Sequence, residues 1–185
     1  MKQYLASTEY INWQHPTVLA KAATLAKGSV EPIDIAQHCF EFVRDEIRHS
    51  GDYKMNPVTC KASDVLNNAT GYCYAKSHLL AALLRANNIP RLTVTDVPPF
   101  CLHGLNAVHL EGIGWYRIDA RGNKHGVNAE FSPPTEQLAF PIVTAGEADL
   151  PEIWHEPLPA IIQLLTQNNS HQDVANNLPD IELAT

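Results

Sequence analysis

Thr70-Gly71-Tyr72-Cys73-Tyr74-Ala75-Lys76-Ser77-His78-Leu79-Leu80-Ala81-Ala82-Leu83-Leu84-Arg85-Ala86 reads as a helix with a cysteine on its first turn. Leu79, Leu80, Leu83 and Leu84 recur at helical spacing and predict one buried face. Thr70 and Gly71 suit the entry to the helix. Asn87-Asn88-Ile89-Pro90 stops it, because Asn favours the cap and Pro90 drives Ile89 out of the helical region. Cys73 then lies where unpaired backbone N–H groups and the positive end of the helix dipole converge. That setting favours the thiolate, the nucleophilic form. A small buried hydrophobe at a helix start fits the same pattern, so this stretch alone leaves both readings open.

Outward from that helix, the bulk properties restrict the classes. The chain has 185 residues, enough for one domain that folds without a disulfide or metal. Hydrophobic content of 45% with 18% charged residues describes a globular protein. A formal net charge of −7 argues against nucleic-acid and anionic-membrane partners. No apolar run approaches a membrane span, and Met1 to Glu9 lacks the apolar segment of a signal peptide. Cys39, Cys60, Cys73 and Cys101 are therefore expected as thiols in a reducing, cytoplasmic setting.

Taken in order, Met1 to Trp13 is expected as an arm across the surface. His15-Pro16 opens a helix to about Lys27 with Val18, Leu19, Ala22, Ala23 and Ala26 inward. A second helix, from Asp34 to about Arg48, buries Ile35, Ala36, Cys39, Phe40, Val43 and Ile47. Its other face, including Arg44, reads as solvated. His49 to Thr59 reads as a loop and Ala62 to Leu66 as one helical turn. Arg91 to Val97 reads as a strand, broken at Pro98-Pro99. Leu105 to Glu111 and Trp115 to Asp119 read as paired strands joined at Gly112-Ile113-Gly114. Gly122 to Glu136 reads as loop with Phe131 as an apolar anchor, and Pro157 to about Thr166 as a helix. The polar tail after Asn168 is expected to fray. Helices followed by hairpin-connected strands indicate an α+β class.

A cysteine nucleophile needs a base to take its proton and a group to orient that base. His103 stands before the first hairpin strand and Asp119 ends the second. The start of one hairpin strand lies beside the end of the other. The hairpin can thus offer an imidazole and a carboxylate together, although sequence does not fix the register.

These residues carry a family resemblance. Ala62-Ser63-Asp64-Val65-Leu66, Gly71-Tyr72-Cys73, Leu79 to Ala86 and Ile89-Pro90-Arg91 resemble the cysteine segment of the transglutaminase-like superfamily. His103 followed by Val108, Leu110, Gly112, Gly114-Trp115 and Asp119 resembles its histidine–aspartate hairpin. The resemblance runs from about residue 34 to residue 123. More narrowly, it is to bacterial stand-alone members often described as candidate cysteine proteases.

The resemblance implies a papain-like transglutaminase core, with the cysteine helix packed on an antiparallel sheet. N-terminal residues 1–33 would be an arm and helix, and 124–185 a loop and helical extension of one domain, 1–185. It implies Cys73 as nucleophile, His103 as general base and acid, and Asp119 as the orienting carboxylate. The substrate would be an amide in a peptide-like molecule, with no cofactor. Many members follow the histidine with Ala-Trp and a carboxylate four residues on; here Gly104, Leu105 and Ala107 stand there. No loop of closely spaced carboxylates suggests calcium, so hydrolysis is expected over crosslinking.

An oxyanion intermediate needs two donors. The Cys73 N–H is one, and His49, Tyr53, Lys54, Asn56 and Tyr72 are candidates for the other. Cys60 and Cys101 read as structural or incidental. A metal site of Cys101, His103 and His109 lacks a paired arm and is disfavoured. His78 is expected toward solvent or the cleft. A binding module that keeps the fold without the chemistry is the rival reading.

Overall fold

The computed structural model describes residues 2–97, 101–150 and 154–179. Its central element is the cysteine helix, α5 (Cys73–Ala86), which is buried on every side from Cys73 to Arg85. α1 (Pro16–Leu25), α2 (Pro32–Glu46) and α4 (Ala62–Asn68) pack against it, as do β3 (Arg91–Val97) and β4 (His103–Leu110). The single buried face expected from the leucines is thus too narrow.

The reason lies in the polar positions of α5. Lys76 Nζ donates to the carbonyls of Ile47 and Arg44, and so caps the end of α2. His78 Nδ1 donates to Cys60 O at 2.8 Å, which corrects the solvent-facing expectation. Arg85 donates to Ala6 O and His155 O. Each buried cationic or imidazole group therefore has an oxygen partner, the condition for taking it out of water. The helix ends as its asparagines imply. Asn88 adopts φ 58°, and Ile89 N–H reaches back to Leu84 O at 2.9 Å while Asn88 N–H bonds Arg85 O.

The sheet is antiparallel, in the order β5 (Gly114–Ile118), β4, β3, β6 (Ala148–Asp149). The predicted hairpin forms with Leu110 opposite Gly114. Gly112 and Gly114 sit at φ 77° and 91°, where a side chain would be strained. The first strand begins at His103, two residues earlier than the pattern suggests. The break at Pro98-Pro99 lies outside the described residues, as do Met1 and residues 180–185.

Two pieces of the loop from His49 to Thr59 are ordered instead. β1 (Arg48–His49) pairs in parallel with β2 (Thr70–Gly71), His49 opposite Gly71. α3 (Ser50–Tyr53) follows it directly. The tail also departs from expectation. After α6 (Pro159–Gln167), a capping box of Ser170 and Asp173 starts α7 (His171–Asn176), which buries Val174. The N-terminal arm holds a short 3-10 turn at Lys2–Leu5.

Among the core expectations, Ala36, Cys39, Phe40, Val43 and Ile47 are buried. Phe131 anchors its loop against Tyr116 and Phe40, at ring distances of 5.7 and 6.0 Å. Leu19 is 40% exposed, because α1 turns only Val18 and Ala22 fully inward. Arg44 is not simply solvated: it bonds Ala129 O and Glu130 at 3.0 Å each and lies over the Phe40 ring. None of the described helices is long and apolar enough to cross a membrane.

Candidate functional site

The sequence places Cys73 at the first position of α5 because Tyr72 keeps extended backbone while Cys73 begins the helix. Parallel pairing of β1 with β2 brings His49 beside that entry. The antiparallel hairpin supplies the other components. Continuing its register puts Leu105 opposite Asp119, so His103 is the diagonal neighbour of Asp119 on the same face. His103 Nε2 and Asp119 Oδ2 are 2.8 Å apart.

Cys73 lies close enough to the His103 imidazole to raise its titration. Because Nε2 is taken by Asp119, Nδ1 is the nitrogen that remains for sulfur. Cys73, His103 and Asp119 are 8%, 4% and 0% exposed. Asp119 is further held by N–H donors: Arg121 N at 3.1 Å to Oδ1 and Ala139 N at 3.0 Å to Oδ2.

These contacts determine the protonation of the pair. Burial opposes the charged imidazolium of His103. The charges of Asp119 and Cys73 and the hydrogen bond to Asp119 outweigh it, so His103 titrates well above its ordinary value. Burial likewise opposes the Asp119 carboxylate. The His103 charge and hydrogen bond and the two backbone N–H groups outweigh it and hold Asp119 below the usual carboxylate range. By contrast, burial pushes Cys39 and Cys60 up to about 12, so both are inert thiols.

The helix meets the sheet unusually closely here. A Cβ built on Gly104 would lie 2.9 Å from Tyr74 Cδ1 and 3.0 Å from its Cα. Glycine next to His103 therefore lets the first turn of α5 approach the strand, which gives the departure at this position a packing cause. Tyr74 adds a hydroxyl bond to Leu102 O, fixing the residue before His103.

The thiol and imidazole open on a cleft of about 420 Å³. Its lining is largely apolar and includes Leu102, Phe140, Pro141 and Val143. Phe140 stands edge-on to His103, with ring centroids 5.0 Å apart, and Arg121 lies over its other side at 5.4 Å. Arg121 is held by a two-pronged pair with Asp52 at 2.6 and 3.0 Å, which Lys124 joins at 2.7 Å.

Of the oxyanion candidates, His49 and Tyr72 line the cleft and Tyr53, Lys54 and Asn56 do not. Tyr53 is 60% exposed beneath Arg48, and Asn56 Oδ1 accepts from His171 N. Burial, then the Arg121 charge, lower His49 to about 3, so it is neutral. Its Nδ1 faces the Asp52 N–H at 3.4 Å, which leaves the proton on Nε2.

Cys101 also lines the cleft, whereas Cys60 lies outside it. His109 packs edge-on to Trp115, far along β4 from His103. Among the described residues no three His, Cys, Asp or Glu side chains converge as a metal ion would need. Arg121, next to the Asp119 motif in sequence, lines the cleft, whereas Phe140 and the Ala139 N–H are not foreseeable from local pattern. An aromatic residue between Ala139 and Pro141 in a loop is the only trace that sequence offers.

Residues 20–120 match the family model of the transglutaminase-like superfamily. No curated protein matches the sequence. Among solved structures, the chain is similar to a candidate cysteine protease from Cytophaga hutchinsonii, with TM-score 0.52 and 19% identity over 64% of this chain. It is also similar to a candidate protease from Parabacteroides distasonis, with TM-score 0.48 and 13% identity over 85% of this chain. The match covers 40% and 30% of those two chains, respectively.

Proposed function

Because this chain belongs to the transglutaminase-like superfamily, we propose that it is a cysteine-dependent hydrolase or acyltransferase acting on an amide of a peptide-like substrate. The observation that carries this reading is His103, bonded to Asp119 at 2.8 Å and lining one cleft together with Cys73. Four cysteines without a disulfide fit a cytoplasmic setting, and we treat residues 1–185 as one domain.

In this mechanism Cys73 is the nucleophile. Its proton passes to His103 Nδ1 and the sulfur attacks the amide carbonyl carbon, forming a tetrahedral oxyanion. Asp119 holds the imidazole orientation and stabilises the imidazolium. The Cys73 N–H, unpaired at the helix start, faces the oxyanion. His49 Nε2–H is the second donor; its low pKa keeps it a neutral donor at physiological pH. The Tyr72 hydroxyl is already committed to His171 O. Collapse breaks the C–N bond, and His103 returns its proton to the leaving amine, leaving a thioester. Water then gives hydrolysis, or a second amine gives acyl transfer.

The test is turnover of amide and acyl-transfer substrates by Cys73→Ala and His103→Ala, with thermal melts to check folding. Both variants should lose turnover and keep the fold. Alkylation by iodoacetamide, followed by mass spectrometry, gives a substrate-free readout: His103→Ala should slow Cys73 about tenfold or more. Unchanged turnover and an unchanged alkylation rate would favour a binding module in which Cys73 is an ordinary thiol.

A further inference from the structure

The C-terminal segment runs along the cleft and contributes Leu178 to its lining. At one wall, His171 O accepts the Tyr72 hydroxyl at 2.6 Å, and His171 N donates to Asn56 Oδ1 at 2.8 Å. The capping box and the buried Val174 hold α7 in place behind this mooring. At the opposite wall, Leu102 N donates to Pro179 O at 3.0 Å. Between them, Leu178 packs on the core and lines the cleft with Cys73 and His103.

The contact at Leu102 has the form of substrate recognition. The main-chain carbonyl of Pro179 meets an N–H immediately before the strand that begins at His103. Main-chain pairing of this kind gives a peptide affinity, while a pocket for its side chain gives selectivity. The pocket here is apolar, with Leu102 and Phe140 beside the imidazole and Val143, 79% exposed, on the rim. Its charged lining residues are already engaged, Arg121 by Asp52 and Glu147 by the Val143 and Thr144 N–H groups, so the site favours an apolar side chain at the position of Leu178 over a charged one.

We propose that this wall is a subsite for an extended peptide bearing a leucine-like side chain. In the resting protein, the chain's own Leu178-Pro179 occupies it as a substitute that restricts access to Cys73. The proposal rests on the reading of Cys73 as nucleophile. It adds the substrate class, and it makes the C-terminal segment a cap on the site.

The test is the iodoacetamide alkylation rate of each cysteine in the full chain, compared with Leu178→Asp and Leu178→Ala. Leu178→Asp should accelerate Cys73 about tenfold and Leu178→Ala a few-fold, with buried Cys39 still protected in both. Adding the peptide acetyl-Asn-Asn-Leu-Pro-amide to the Asp variant should slow Cys73 again, and the same peptide with Asp for Leu should not. If Leu178→Asp also exposes Cys39, it has lost its fold and Leu178→Ala decides. An unchanged Cys73 rate in a variant with Cys39 protected overturns the proposal. So does equal protection by the two peptides. Failure of the enzymatic reading is seen separately, as a Cys73 rate indifferent to His103→Ala.

Discussion

His103 Nε2 meets Asp119 Oδ2 at 2.8 Å, in a pair whose carboxylate has no solvent exposure. Asp119→Asn keeps the shape but loses the charge and changes the tautomer that His103 must adopt. By analogy with buried His–Asp pairs in hydrolases, turnover should fall by about 10⁴-fold. Breaking a buried ion pair also costs about 3–5 kcal/mol of stability. The pH dependence has two limbs. Asp119, lowered in the fold, contributes stability above the ordinary carboxylate pKa and loses it as pH falls through its folded value. His103, raised in the fold, contributes fully below the ordinary imidazole value and loses it as pH rises through its folded value. The difference in melting temperature between wild type and Asp119→Asn should therefore be largest in mildly acidic solution and shrink in strong acid.

His49 works in the opposite sense. Its folded value is lowered to about 3, whereas the unfolded chain takes up a proton near pH ~6.5. Between those values the unfolded state binds more protons, so stability falls as pH falls, by at most about 1.4 kcal/mol per pH unit. His49→Gln should flatten this slope. Urea midpoints at mildly acidic and neutral pH should converge in the variant and remain apart in the wild type.

Gly104→Ala tests the close approach of helix and strand. The added methyl meets the Tyr74 ring at Cδ1 and the Tyr74 backbone at Cα and N, so moving one side chain does not relieve it. Overpacking of this kind costs about 1–3 kcal/mol, read as a lower urea midpoint. Displacement of His103 relative to Cys73 should lower kcat more than it raises KM.

The helices give a paired contrast. Leu84 is fully buried on α5, and Leu19 is 40% exposed on α1. Leu84→Ala should cost about 2–5 kcal/mol, and Leu19→Ala within about 0.5 kcal/mol. Equal effects in denaturant melts would contradict the central position of α5.

The parts of this fold legible in sequence are those written in local pattern. Leucine and alanine spacing marks α5, Asn88 its end, and the Gly112 to Gly114 turn the hairpin. The site components follow because a helix start and two strand ends are local features. What escaped depends on partners distant in the chain. The burial of Lys76, His78 and Arg85 makes sense only once the carbonyls of Ile47, Cys60 and His155 are known as their partners. β1 and β2 have two residues each and no periodicity to read. Phe140 reaches His103 only because its loop folds back so that Ala139 N–H bonds Asp119. The tail has the composition of a frayed end, yet Val174 finds a buried place.

The burial of α5 on every side has a bearing on exchange of its amides with solvent. A helix with an open face can detach while the rest of a protein stays folded; α5 has no such route. Its interior amides should exchange only with global unfolding. Cys73 thus stands on the slowest-opening part of the molecule, while the outer walls of its cleft, from Phe140 to Glu147 and at Leu178, belong to loops. Changes of substrate preference can accumulate in those walls without moving the sulfur. A substitution that destabilises the whole chain, however remote, should shorten the lifetime of the assembled site in proportion.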